Sequence, residues 1–233
     1  MSKEDLNFYD GYAANKQWDV GVATEDDRSL AELARIGGLK PGQSLLEVGF
    51  GAGDFMDWAK SAGYDITGVE ILPDMLASAR ARGHKVYQGP LTPDLLSGQL
   101  FDVVVALDLI EHLTSEEIVE LFRATRPLLK PGGRYLVRFP NGDSPFSSWH
   151  QHGDITHKTV IGSGMIHQLA RFGGLEVVKI VNHRPMPTGI AAIKKMLVYA
   201  GRNVVEAIIG FLYRGGRYPM DPNSVVVLKP RDG

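Results

Sequence analysis

The chain has 233 residues, a formal net charge of −2 and no cysteine. That length can hold one α/β domain with a substantial core. The charge balance argues against a general nucleic-acid binder, and the missing cysteines exclude a disulfide framework and thiolate chemistry. Met1 to Asp10 is polar and acidic, unlike a secretory signal, and no apolar run reads as approaching the ~20 residues that span a bilayer. A soluble cytoplasmic protein is therefore expected.

Residues 3–22 interleave Phe8, Tyr9, Tyr12 and Trp18 with polar residues, the pattern of an N-terminal helix packing aromatics onto a core. Thr24-Glu25-Asp26-Asp27 caps a helix through Ile36, with Leu30, Leu33, Ala34 and Gly37 spaced for one buried face. Gly37-Gly38 ends it, and Pro41-Gly42 turns the chain into a first strand. Ser44 to Asp54, SLLEVGFGAGD, is the stretch that organises the rest. Leu45, Leu46 and Val48 make a buried strand, Gly49, Gly51 and Gly53 alternate through a tight turn, and a crossover helix is expected from Phe55 to Ala62. Glycines in such a turn let a ligand approach the main chain. A second strand, Ile66 to Glu70, ends in a carboxylate about twenty residues past Gly49, where it can reach the two hydroxyls of a ribose.

A dinucleotide fingerprint would need a third glycine at position 54, which is Asp54. Its side chain would obstruct helix–strand packing and its charge would repel a pyrophosphate. A P-loop is excluded because no Gly-Lys-Ser/Thr follows the turn. Glu47-x-Gly49-x-Gly51-x-Gly53 instead resembles motif I of the class I S-adenosylmethionine-dependent methyltransferases. The resemblance implies S-adenosyl-L-methionine as cofactor, with S-adenosyl-L-homocysteine as product. It assigns cofactor binding to Glu47, Gly49, Gly51, Gly53, Glu70, Ile71 and Asp108, with Ile71-Leu72 covering one adenine face. The acidic flanks Glu47 and Asp54 suit a ligand carrying an ammonium and a sulfonium. The family also supplies a second reading of residues 1–40, as a lid and helices over the substrate pocket.

Pro73 and Asp74 open the next helix, and His84 to Gln88 is a short third strand. Relatives in this family often place an acid just beyond that strand for the adenine amino group; here Gly89-Pro90-Leu91 stands instead. Phe101 to Ala106 reads as a central parallel strand, nearly all apolar. The following Leu109-Ile110-Glu111-His112-Leu113 and the later Leu128-Leu129-Lys130-Pro131-Gly132-Gly133 again resemble the family, in the expected order. Asp108 should share one crevice with the glycines, outside the carboxyl ends of the strands. Glu111-His112 also reads as a simple pair before a helix capped by Thr114 to Glu117. Lys130 to Gly133 reads as a turn into a fifth strand, Arg134 to Phe139. The implied fold is α/β, a doubly wound, seven-stranded, mostly parallel Rossmann-like sheet with the last strand antiparallel.

Pro140 to Pro145 is a loop, and Trp149 to His157 then gathers His150, His152 and His157 around Asp154. Three readings stand open. In the first, Asp154 and Thr156 cap turns beside solvated or packed histidines; in the second, one histidine, His157 or His152 with His150 third, acts as a base oriented by Asp154; in the third, His150, His152, Asp154 and His157 together hold a divalent metal, although their spacing matches no zinc pattern. The site as read contains no metal. The layout PNGDSPF…HGDITH…FGGLEVV resembles methyltransferases acting on glycan and other small-molecule hydroxyls, and its start resembles the quinone O-methyltransferases.

A helix from Gly164 to Phe172 leads to a sixth strand, Leu175 to Val181. Ile190 to Tyr213 places Ile193, Leu197, Val204, Ile208 and Leu212 near helical spacing, flanked by Lys194, Lys195, Arg202, Arg214 and Arg217. It reads as a helix packed on its own domain, or alternatively as one lying on a membrane or lining a site for a lipid-linked acceptor. Ser224 to Lys229 is the final strand. One domain over 1–233 is expected, with substrate-side insertions in 140–222. The resemblance implies methyl transfer to the hydroxyl of a small-molecule or saccharide acceptor. A quinone precursor, a nitrogen acceptor and a non-catalytic S-adenosylmethionine binder remain as alternatives.

Overall fold

The computed structural model describes residues 26–92, 94–96, 98–185, 192–216 and 218–231. The aromatic segment around Phe8, Tyr9, Tyr12 and Trp18, with the lid reading attached to it, lies outside them. Helix α1 (Asp27–Gly37) begins at Asp26, whose side chain accepts from the Arg28 N–H, and ends at Gly38 in the left-handed conformation. Then follow β1 (Ser44–Val48), α2 (Asp54–Ser61), β2 (Asp65–Glu70), α3 (Pro73–Ala81), β3 (Lys85–Gln88) and β4 (Phe101–Leu107). A 3-10 turn (Ile110–His112) precedes α4 (Ser115–Thr125), whose Thr114 and Glu117 form a reciprocal capping box. The second half supplies β5 (Leu129–Pro140), α5 (Ser148–His152), α6 (Ser163–Phe172), β6 (Leu175–Asn182), α7 (Ala192–Ile209) and β7 (Asn223–Pro230).

The strands form one seven-stranded sheet in the order β3-β2-β1-β4-β5-β7-β6. β1 pairs parallel with β2 and β4, while β7 runs antiparallel to both β5 and β6. Successive residues of a strand face opposite sides. Leu45, Val103, Val105 and Leu136 therefore join the core under α1, α2 and α3. Leu46, Val104, Ala106 and Val137 join the core under α4 and α6. Burial on both faces explains why the strands read as near-continuous apolar runs. The chain turns outward from β1 to β2 and β3, then returns to β4, so a crevice opens between the carboxyl ends of β1 and β4.

Two expectations change. β5 begins at Leu129, not Arg134: Leu129 pairs with Phe101, and the register shifts before Val103 meets Arg134. Lys130 to Gly133 is thus an irregularity within an extended strand, where a Cβ on Gly133 would lie 2.9 Å from the Lys130 carbonyl oxygen. The second change is α7, which has no buried residue. With its π-helical continuation it is long and apolar enough, by length and composition, to cross a membrane, contrary to the reading of its sequence. Four charged residues, Lys194, Lys195, Arg202 and Glu206, still interrupt the run. Residues 140–222 also contain α6 and β6, so much of that stretch belongs to the sheet layers.

A buried-edge carboxylate ties three strands below the crevice. Asp102 Oδ2 accepts from the Ser44 N–H (2.8 Å), the Ser44 hydroxyl (2.9 Å) and Lys130 Nζ (2.8 Å). Burial alone would raise this carboxyl, but the Lys130 and Ser44 bonds outweigh it and hold it below the ordinary carboxylate range. Its folded pKa being depressed, the stabilisation is present above about pH 4 and is lost as the pH falls through the folded value. Asp102→Asn should cost roughly 1–2 kcal/mol at neutral pH. Denaturant melts should show that deficit shrinking in acid as the wild-type carboxylate itself protonates.

Candidate functional site

A cavity of about 860 Å³ fills the crevice above β1, β2 and β4. The residues expected to bind a cofactor, Glu47, Gly49, Gly51, Gly53, Glu70, Ile71 and Asp108, all line it. Gly49, Gly51 and Gly53 take φ values of 70°, 52° and 85°, the left-handed region that side chains disfavour. A Cβ on Gly49 would lie 2.7 Å from Leu109 Cδ1. The loop therefore leaves bare main chain facing the cavity.

Parallel pairing of Val48 with Val69 brings Glu70 beside that loop. Glu70 is buried, and its carboxylate accepts from Gly51 N (2.9 Å), Ile71 N (2.7 Å) and Leu72 N (3.1 Å). From the other side, Arg82 donates to the Ala52 carbonyl (2.6 Å) and to Asp57 (3.2 Å). Arg82 was not legible as part of the site, because its reach from the end of α3 back to residue 52 leaves no local pattern. Glu47 and Asp54 add acid to the same wall. Beyond β3, where an adenine-binding acid is missing, Pro90, Leu91 and Thr92 line the cavity instead.

At the end of β4, Asp108 has φ 50°, the one positive value at a non-glycine among the described residues. Its carboxylate takes Arg138 Nε at 3.1 Å to each oxygen, and its N–H donates to the Arg138 carbonyl (2.9 Å). Strain of this kind persists where surrounding bonds over-determine the backbone. Arg138, from β5, lines the cavity with it.

The histidine loop folds onto the 3-10 turn: the N–H groups of Lys158 and Thr159 donate to the Glu111 carbonyl (2.8 and 3.1 Å). Asp154 does not hydrogen-bond His157, from whose Nε2 it stands 3.9 Å. Its Oδ1 accepts from the N–H (2.9 Å) and hydroxyl (2.6 Å) of Thr156, as in the turn-cap reading. Thr156 Oγ1 lies 2.8 Å from His112 Nδ1. With the hydroxyl proton directed to Asp154, His112 Nδ1 donates to Thr156, so that a neutral His112 carries its lone pair on Nε2. His112 lines the cavity. His157 packs edge-on against it at 4.7 Å between ring centroids and directs Nδ1 to the Gln151 carbonyl (2.9 Å). His152 is exposed and does not line the cavity. Burial pushes the His150 imidazole below its ordinary pKa, with Asp108 pulling the other way and Arg138 and His157 adding to the lowering. The four-residue metal set His150, His152, Asp154 and His157 is not brought together. Glu111, His112 and His157 are, each offering a ligand atom within 4.8 Å of the others.

A left-handed glycine turn, a buried acid at the end of the neighbouring strand and a cavity across the switch point define a doubly wound domain built for a nucleoside ligand. The acids Glu47 and Asp54 on its wall suit a cationic, phosphate-free ligand. Residues 46–137 match the family model described as a methyltransferase domain. Phosphoethanolamine N-methyltransferase 2 of Caenorhabditis elegans is 33% identical over 119 residues, covering 48% of this chain and 27% of that protein. Ubiquinone biosynthesis O-methyltransferase of Bordetella avium is 29% identical over 111 residues, covering 45% of each. The chain thus spans less than half the length of these relatives. A TehB-like S-adenosylmethionine-dependent methyltransferase structure from Corynebacterium glutamicum superposes with a TM-score of 0.62 at 15% identity, covering 95% of this chain and 97% of that one. Residues 46–137 thus match a methyltransferase domain on a sheet of the fold shared with S-adenosylmethionine-dependent methyltransferase structures, which together imply S-adenosylmethionine as the cofactor.

Glu70→Gln would turn an amide N–H toward main-chain donors. Titration calorimetry with S-adenosyl-homocysteine should show affinity falling ~10- to 100-fold, the scale of one charged hydrogen bond.

Proposed function

We propose that this protein methylates a hydroxyl oxygen of a small molecule, with His112 as general base. The observation that carries the reading is the Asp154–Thr156–His112 chain, which ends on a histidine in the cavity wall. S-adenosylmethionine supplies an electrophilic methyl on a sulfonium centre. The glycine loop and Glu70 hold its amino-acid and ribose ends, while Ile71 and Leu72 offer an apolar face to adenine. Asp108, fixed by Arg138, forms the wall at the end of β4 where the methyl is presented. Most of the acceleration would come from this alignment, since positioning supplies several kcal/mol or more.

His112 then removes the acceptor proton at Nε2, and Thr156 relays the carboxylate of Asp154 to the imidazolium that forms. This places the base one turn after β4 and leaves His157 as its packing partner. The acceptors named for the relatives, on oxygen in one case and nitrogen in another, are compatible with a small-molecule substrate. A hydroxyl is favoured because an amine that is already neutral has no need of the relay. A saccharide or phenol would both satisfy it.

Methyl incorporation from labelled cofactor, screened across sugar, phenol and amine acceptors, tests the proposal. His112→Gln should lower turnover of a hydroxyl acceptor by ~10²–10⁴-fold. Thr156→Val, which keeps the shape and breaks the relay, should lower it by about tenfold or more. Affinity for S-adenosyl-homocysteine should be unchanged in both. Normal turnover in both variants would remove His112 as the base.

A further inference from the structure

We propose that α7 is an interfacial helix by which this protein docks on an anionic bilayer. The proposal goes beyond methyl transfer and does not depend on it. A helix on a globular domain ordinarily turns its apolar stripe inward and its polar face to water. In α7 this arrangement is inverted. Tyr199, Arg202, Asn203 and Glu206 share one face by their i, i+3, i+4, i+7 spacing, and this is the face bonded to the domain. Arg184 donates to Glu206 (2.6 Å) and to Asn203 (2.5 Å), and Asn182 Nδ2 donates to Glu206 (2.6 Å). Tyr199 donates to the Pro185 carbonyl (3.2 Å), and Arg202 pairs with Asp221 (3.5 Å).

The opposite face carries Ile193, Leu197, Val204, Ile208 and, from the π-helical turn, Phe211, which are 53–82% exposed. Contiguous exposed apolar surface of this kind marks an interaction site. Its charges identify the partner. Lys194 and Lys195 are exposed at the start of the helix, while Arg202 on the bonded face pairs with Asp221 and the helix's one acid, Glu206, is engaged by Arg184 and Asn182. A basic end beside an aliphatic and aromatic stripe answers an anionic headgroup layer over hydrocarbon. A second copy of this chain, pairing stripe to stripe, would set the same cations on both sides of the contact.

The bound polar stripe also decides the orientation. Although the segment is long enough to cross a membrane, crossing would strip Arg202, Asn203 and Glu206 from their partners and bury them in hydrocarbon. The helix therefore lies along the surface. It is inserted between Asn182, at the end of β6, and Asn223, at the start of β7, on the edge of the sheet where β5 ends at Pro140. The cofactor cavity lies at the same carboxyl end of the parallel strands, above β1, β2 and β4.

Sedimentation of the full chain with vesicles tests the docking. Mixed phosphatidylcholine–phosphatidylglycerol vesicles should carry the protein down, with binding to pure phosphatidylcholine weaker by about tenfold or more. Leu197→Gln with Ile208→Gln, and separately Lys194→Glu with Lys195→Glu, should each lower binding to the mixed vesicles by about tenfold or more. Circular dichroism and S-adenosyl-homocysteine affinity should be unchanged, because these side chains lie outside the cofactor site. No sedimentation with mixed vesicles would overturn the proposal, as would binding indifferent to both pairs of substitutions. A dimer in light scattering that Leu197→Gln with Ile208→Gln dissociates, without vesicle binding by the wild type, would assign the stripe to a second copy instead.

Discussion

The Gly51–Ala52 dipeptide is held at both ends, and the site depends on that grip. Glu70 accepts the Gly51 N–H and Arg82 donates to the Ala52 carbonyl. Neither contact forms without the sheet, since β1 must lie parallel beside β2 to bring Glu70 level with the loop. Nor would the loop turn without Gly49, Gly51 and Gly53, whose positive φ values other residues resist. A buried carboxylate costs several kcal/mol unless its lone pairs are occupied, and three main-chain N–H groups supply that compensation. The same acid that orders the loop is thereby presented at the position a ribose would take.

From this fixed wall the cavity runs to a second cluster of quite different chemistry. The first wall carries acids suited to a cation. The second, around Asp108, Arg138 and His112, combines a strained backbone with a relay that fixes an imidazole tautomer. On the proposed reading, binding and proton transfer occupy separate parts of one crevice, so that the cofactor end can stay rigid while the acceptor end varies. The matched region runs from β1 through the glycine loop into β5 and ends at Val137, before the histidine loop.

The sheet was legible because strands buried on both faces leave apolar runs, and because glycines and acids mark the turn beside them. That Glu47, the loop glycines, Glu70, Ile71 and Asp108 would line one cavity was legible for the same reason, all of them being local to strand ends. What could not be read were contacts across long sequence separations. Thr156 meets His112 from 44 positions away, and Arg138 meets Asp108 from 30. The concentration of histidines in 150–157 drew attention to His157 and His152, whereas the ring in the cavity wall is the one that reads as an ordinary helix-leading pair with Glu111. In α7 the periodicity revealed a stripe but not its direction. Direction is set by Arg184, Asn182 and Asp221, which claim the polar side. The start of β5 was missed because Lys130 to Gly133 has turn chemistry but bridges a register shift.

The most direct test of the central claim is a crystal structure of the protein grown with S-adenosyl-homocysteine and, separately, with NAD. The account predicts adenosyl-homocysteine across the carboxyl ends of β1 and β2, its ribose hydroxyls at Glu70 and its amino-acid end against Gly49 to Gly53. NAD seated on those glycines, or adenosyl-homocysteine bound anywhere else, would contradict it.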